Sequence, residues 1–195
     1  LPAKPEASAA AAPTAAVAVA SDAPSAQPLA PPSHPKVSQR AQQTALEAYN
    51  LGIRHHAARE WARAAAAYER ALAANPNLSN AAYNLGLGRR SAGNLPQARA
   101  AFEQALASNP DMVKARYMLA MVLHELKDDA AALAELQRIV REQPRYAEAH
   151  LLLGLIYSQD PRQTARARSA YQRYLELAPN GPAAAQVRAW LQKSR

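Results

Sequence analysis

The sequence predicts an all-α protein of helical hairpins repeated in series, and three observations carry that reading. Pro76, Pro110, Pro144 and Pro179 stand 34, 34 and 35 residues apart, and each closes an amphipathic stretch. Before each proline, apolar residues recur at three and four in two stretches of roughly 13 residues broken by a short turn, the one-face pattern of a helix. Small residues recur in register: Gly52, Gly86, Ala120 and Gly154 in the first stretch of each repeat, and Ala64, Ala98, Ala132 and Ala167 in the second. A fixed period of this length is the signature of a stacked repeat array.

The elements follow in order along the 195 residues. Residues 1–40 hold eight of the 15 prolines, and neither glycine nor an aromatic residue precedes Tyr49. Such a stretch buries too little apolar surface to offset the entropy of ordering it. Residues 1–37 therefore read as a disordered, partly extended Pro/Ala tether. Residues 38–181 form four repeats, at about 45–78, 79–112, 113–146 and 147–181. Ser38 is placed to cap the first helix, Asn77 or Ser79 the first helix of repeat two, and Asp111 that of repeat three. Asn94, Asp129 and Asp160 stand at the starts of second helices, with Pro96 in a first turn where its missing N–H costs little. Small residues facing each other are expected to let paired helices approach closely. Tyr68, Phe102, Leu136 and Tyr171 are expected to fill the gap to the next repeat. Residues 182–195 read as a capping helix over the open end of the array, with Trp190 packed on repeat four.

Composition excludes several classes of chemistry. There is no cysteine, so no disulfide, thiolate metal site or cysteine nucleophile. No run of about 18 apolar residues spans a membrane. The first residue is Leu, which suggests a processed or partial product whose signal or anchor was lost upstream. Among the five histidines, His55 and His56 are adjacent and point about 100° apart, and His55 and His150 fall in core columns. No metal site and no cofactor are expected. Gly86-Leu87-Gly88 lies inside a helix rather than after a strand, and no Gly-x-Ser-x-Gly elbow exists, so no enzyme active site is expected. The net charge is +8, carried by 18 Arg and 5 Lys against 15 acids. This balance suits a solvated surface, an acidic partner or anionic lipid head groups. Nucleic acid is not expected, because no basic run of five occurs and the aromatics sit in packing columns.

The columns quoted above, with Leu51-Gly52, Leu85-Gly86, Leu119-Ala120 and Leu153-Gly154, resemble the tetratricopeptide repeat over about residues 45–180. The resemblance implies a right-handed α–α superhelix of hairpins, a solenoid whose first helices line a concave groove. It implies a partner-binding set of Tyr49, Asn50, Ile53, Asn80, Tyr83, Asn84, Leu87, Lys114, Tyr117, Met118, Met121, Leu151 and Leu155. Two positions of the carboxylate clamp of heat-shock co-chaperones are matched, by Asn84 and Lys114. Tyr49, Ile53 and Met118 replace the others, which points to a less charged ligand. The expected function is a protein–protein interaction scaffold or assembly factor, tethered at the membrane and facing the periplasm, of the pilus, secretion or cytochrome c assembly type. A recruiting module of a larger enzyme, a self-assembling repeat protein and a cytoplasmic location stay open on the sequence.

Overall fold

The structure is a computed structural model that describes residues 37–194. The expected tether lies outside the described residues except for Val37. Among the described residues there are nine α-helices, one 3-10 turn and no strand. In order they are α1 (Gln39–Ala57), α2 (Trp61–Ala74), α3 (Ser79–Ser91), α4 (Leu95–Ser108), α5 (Val113–Glu125), α6 (Asp129–Glu142), α7 (Ala147–Tyr157), α8 (Thr164–Leu177) and α9 (Ala184–Lys193). The 3-10 turn, Pro161–Gln163, precedes α8. Among the described residues, those up to Glu135 form one compact unit and those from Leu136 onward a second.

In the first unit, α1 packs on α2 and α3 on α4 as antiparallel hairpins. The close approach has a different origin from the one expected. The group over Gly52 is the ring of Tyr68, and that over Gly86 is the ring of Phe102, where a Cβ on Gly86 would lie 2.6 Å from Cε1. The rings therefore fill space inside their own hairpins, against a glycine, rather than only the gap to the next repeat. Ala64 and Ala98 are fully buried beside them. The same contact recurs in the second unit, where the Tyr171 ring of α8 lies on Gly154 of α7.

The turns between paired helices share one backbone device. Arg59, Gly93 and Lys127, each 34 residues from the next, have φ of 58°, 78° and 68°. This left-handed conformation is free for glycine and strained for the two long side chains. It lets the turn N–H bond back to the carbonyls ending the first helix, as Gly93 does to Arg90 at 2.9 Å. The fourth repeat has an extra residue there and uses the 3-10 turn instead. Asp160 starts it, accepting from the Arg162 backbone N–H at 3.0 Å.

Ser38 caps α1 as expected, accepting from Ala41 N–H at 3.2 Å. The interior caps differ. Leu78 and Met112 occupy the N-cap positions of α3 and α5, with no side-chain cap bond. Asn77, Ser79 and Asp111 therefore do not cap. Asn75 and Asn109, just before the closing prolines, hold these turns by accepting from Asn77 N–H at 3.0 Å and Asp111 N–H at 3.2 Å. Asn94 takes the N-cap place of α4 without a side-chain bond. For α6 the side chain that accepts, from Ala131 N–H at 3.2 Å, belongs to Asp128 rather than Asp129.

In the second unit α9 packs on α8. Val187 and Trp190 are buried, and Trp190 meets Tyr171 of repeat four edge-on, 4.9 Å between centroids. Ala185 and Ala189 face solvent.

Gly86→Ala should destabilise the chain by ~1–3 kcal/mol in urea unfolding, because the new Cβ overlaps an aromatic ring. Gly88→Ala, in the same helix with nothing within 4 Å of its Cβ, should be neutral or stabilising by up to ~1 kcal/mol. Equal effects would refute the ring-on-glycine account. Lys127→Gly should raise stability, and a lower midpoint would show that the turn carries no strain.

Candidate partner-binding face

The residues expected to line a groove divide sharply by exposure. In the first unit, Tyr49, Asn84, Tyr117 and Met118 are fully buried, and Leu87 is 1% exposed. Tyr83 and Met121 are also buried. Asn50 and Lys114 are exposed, and Ile53 and Asn80 are half-buried. In the second unit Leu151 is buried and Leu155 half-buried. The tyrosines thus do not form an open ladder. Two of the rings pack on the paired helix, Tyr49 on Tyr68 at 5.9 Å and Tyr83 on Phe102 at 5.8 Å between centroids, and Tyr117 is fully buried.

Beneath the exposed residues lies a polar contact between repeats. Asn84 Nδ2 donates to the Tyr49 hydroxyl at 3.4 Å, joining α3 to α1. Burial raises the pKa of the Tyr49 hydroxyl, and the Asn84 bond partly offsets this. Burial raises that of Tyr68 strongly, with Tyr49 adding to the effect. Asn84, one of the two matches to the carboxylate clamp, is therefore committed to the interior, while Lys114 is free to meet solvent.

The rim carries one ion pair between neighbouring first helices and two that close the turn within a hairpin. Arg90 of α3 donates through Nε at 3.0 Å and Nη2 at 2.7 Å to Glu125 of α5. His124 Nδ1 lies 2.5 Å from Asp129, and His55 Nδ1 lies 2.6 Å from Glu60. The His55 bond holds the Glu60 carboxyl below its ordinary pKa. His55 is thus a paired, half-buried residue rather than a core one. The core histidine is its neighbour His56, 3% exposed and edge-on to Trp61 at 5.1 Å. His150 is likewise half-buried, 3.0 Å from the Pro144 carbonyl oxygen. Arg116, where the repeat family often has tryptophan, is buried. Its Nη1 donates to Glu135 at 2.9 Å and its Nη2 to the Pro110 carbonyl at 2.5 Å, a pairing that sequence columns give no sign of, while Nε stays unbonded. Among the described residues, no group of three His, Cys, Asp or Glu is placed to hold a metal ion. No described helix is long and apolar enough to cross a membrane.

A profile of the tetratricopeptide repeat matches residues 49–89, 83–147 and 130–182. Together with the glycine-on-ring hairpins, this defines the class: the chain belongs to the tetratricopeptide repeat family, an α–α solenoid that serves as a protein-interaction scaffold. No curated protein sequence matches it. Among solved structures it is similar to the MamA protein, with a TM-score of 0.72 and 22% identity over 78% of this chain and 82% of that one. PilF of Pseudomonas aeruginosa gives 0.67 and 20% over 80% and 70%. YrrB, described as a repeat protein with an unusual peptide-binding site, gives 0.63 and 25% over 80% and 82%.

The buried tyrosines set an alkaline limit. A hydroxyl whose folded pKa is raised above 10.0 keeps its proton in the native state while the unfolded chain loses it. Stability should therefore be intact below pH 10 and fall as pH rises beyond it. Tyr68→Phe should flatten that fall in urea midpoints measured between pH 9 and 11. An unchanged slope would show that Tyr68 ionises freely in the fold.

Proposed function

We propose that this protein is a scaffold whose first unit holds a partner segment along α1, α3 and α5, and that it works as an assembly factor in the cell envelope rather than as a catalyst. The observation that carries the reading is the layering of that face. Asn50, Ile53, Asn80 and Lys114 stand open or partly open to solvent above a sealed layer of Tyr49, Asn84, Leu87, Tyr117 and Met118. The exposed set offers two amides for a peptide backbone, one aliphatic contact and one cation. The buried set keeps their spacing. Leu155 of α7 belongs to the second unit and is half-buried there. Only one cation stands in the exposed set of the first unit, which suits a mostly uncharged segment.

The envelope setting fits the Pro/Ala composition of residues 1–37, which suits a spacer between a membrane anchor and the repeats. The peptide-binding site named for YrrB supports a peptide as the ligand class.

The test is capture from native envelope and soluble fractions, at low salt and at about 0.5 M NaCl. Wild type is compared with Ile53→Asp and Lys114→Glu. The expected result is a partner from the envelope fraction that survives salt and falls by about tenfold with Ile53→Asp, an apolar contact turned into a buried charge. A partner indifferent to both substitutions would contradict the assigned face. A partner found only in the soluble fraction would contradict the envelope assignment.

A further inference from the structure

Charge is distributed unevenly along the chain. Residues 136–195 hold ten of the 23 Lys and Arg and only four of the 15 Asp and Glu, so six of the eight net positive charges fall there. In the second unit a cleft of about 630 Å³ opens on this basic stretch. Its lining includes Gln137 of α6, Leu153 and Tyr157 of α7, and Arg166, Ser169 and Arg173 of α8. Leu153 and Tyr157 lie on the side of α7 opposite Leu151 and Leu155, because residues four apart share a helix face and residues two apart point about 160° from each other. Within the second unit the cleft therefore opens on the other side of α7 from Leu151 and Leu155.

Its chemistry is that of an anion-accepting trough. Leu153 and Tyr157 are buried and form an apolar floor. The Tyr157 hydroxyl is fixed by Gln137 Nε2 at 3.2 Å. The Arg166 guanidinium sits over the Tyr157 ring, 5.9 Å from its centroid, so the ring holds the cation while its N–H fork stays exposed. Arg166 has a weak bond to the Gln163 amide oxygen at 3.4 Å and, among the described residues, no carboxylate partner. Arg173 pairs with Glu176 at 2.7 Å, with both side chains about half exposed, an ion pair that contributes little and that a second carboxylate can join or replace. Arg166, Ser169 and Arg173 recur at three and four along α8, and with Glu176 they span about 15 Å. About five residues of extended chain cover that length. Arginine forks recognise carboxylates in bidentate fashion, and Ser169 and Gln137 supply hydrogen bonds for a backbone.

We propose that this cleft is a second docking site, which takes an extended acidic segment of a partner protein. A flat anionic bilayer is the weaker match, because the cations line a recess with an aromatic floor rather than a protruding basic face. The site is independent of the first-unit face and stands or falls separately.

The experiment is fluorescence anisotropy on the full chain with a fluorescein-labelled Ser-Glu-Glu-Leu-Glu peptide and its Gln-for-Glu analogue. The variants are Arg166→Glu, Arg173→Gln and Arg70→Glu, the last an exposed arginine of α2 that changes net charge by the same amount as Arg166→Glu. Circular dichroism confirms that each variant folds. The expected result is binding of the acidic peptide alone, weakened about tenfold or more by Arg166→Glu, less by Arg173→Gln, and by less than about twofold by Arg70→Glu. Equal losses for Arg166→Glu and Arg70→Glu would mean general charge attraction and overturn the site. So would absence of binding at low salt. Flotation with phosphatidylglycerol vesicles is the final arm: Arg166-dependent vesicle binding without peptide binding would replace the peptide with a membrane and overturn the proposal.

Discussion

The fold depends on an aromatic ring laid on a glycine. Tyr68 over Gly52, Phe102 over Gly86 and Tyr171 over Gly154 each put a ring from the paired helix where a Cβ would stand. That contact sets how close the two helices of a hairpin come and buries a large apolar surface at once. It also decides where the next layer goes. With Tyr68 seated on Gly52, Tyr49 tilts against it, and its hydroxyl is left to meet Asn84 of the following repeat. Packing within one hairpin is thereby converted into register between hairpins.

Much of this was legible in the sequence, because a repeat presents the same physics several times. The 34-residue proline spacing gave the period, and apolar spacing gave the helices. The small columns showed where helices meet, but not what they meet. Gly52 was expected to face a small residue, whereas a ring from sixteen residues on reaches it, a fact of side-chain direction rather than composition. The caps were misread for a similar reason. Asn77 and Asp111 have the right chemistry one residue before the N-cap positions Leu78 and Met112, and Asn75 and Asn109 make the bonds instead because the chain before each proline is already extended. The left-handed turn was hidden in two of three repeats, since Arg59 and Lys127 stand where only Gly93 advertises it.

The candidate face was less legible than the fold. Family columns placed thirteen residues along a groove, but columns do not separate a residue that lines a surface from one that supports it. Tyr49, Asn84 and Tyr117 look like contacts in sequence because they fall in the columns that line the groove in the repeat family. In the structure their ring and amide groups are consumed by neighbouring helices. The cleft of the second unit left only a coarse trace in the sequence, the excess of arginine after residue 136. Its floor of Leu153 and Tyr157 depends on which side of α7 those residues occupy.

Together these features describe a scaffold in which a rigid inner layer of aromatic and amide groups sets the spacing of a few exposed contacts. The most direct measurement is site-specific photo-crosslinking of the full chain in native extracts, with a benzophenone side chain at position 53 on α1 or at position 66 on the exposed side of α2. A discrete crosslinked partner from position 53 and none from position 66 is the result this account predicts. The reverse pattern would place the partner on the second helices and contradict it.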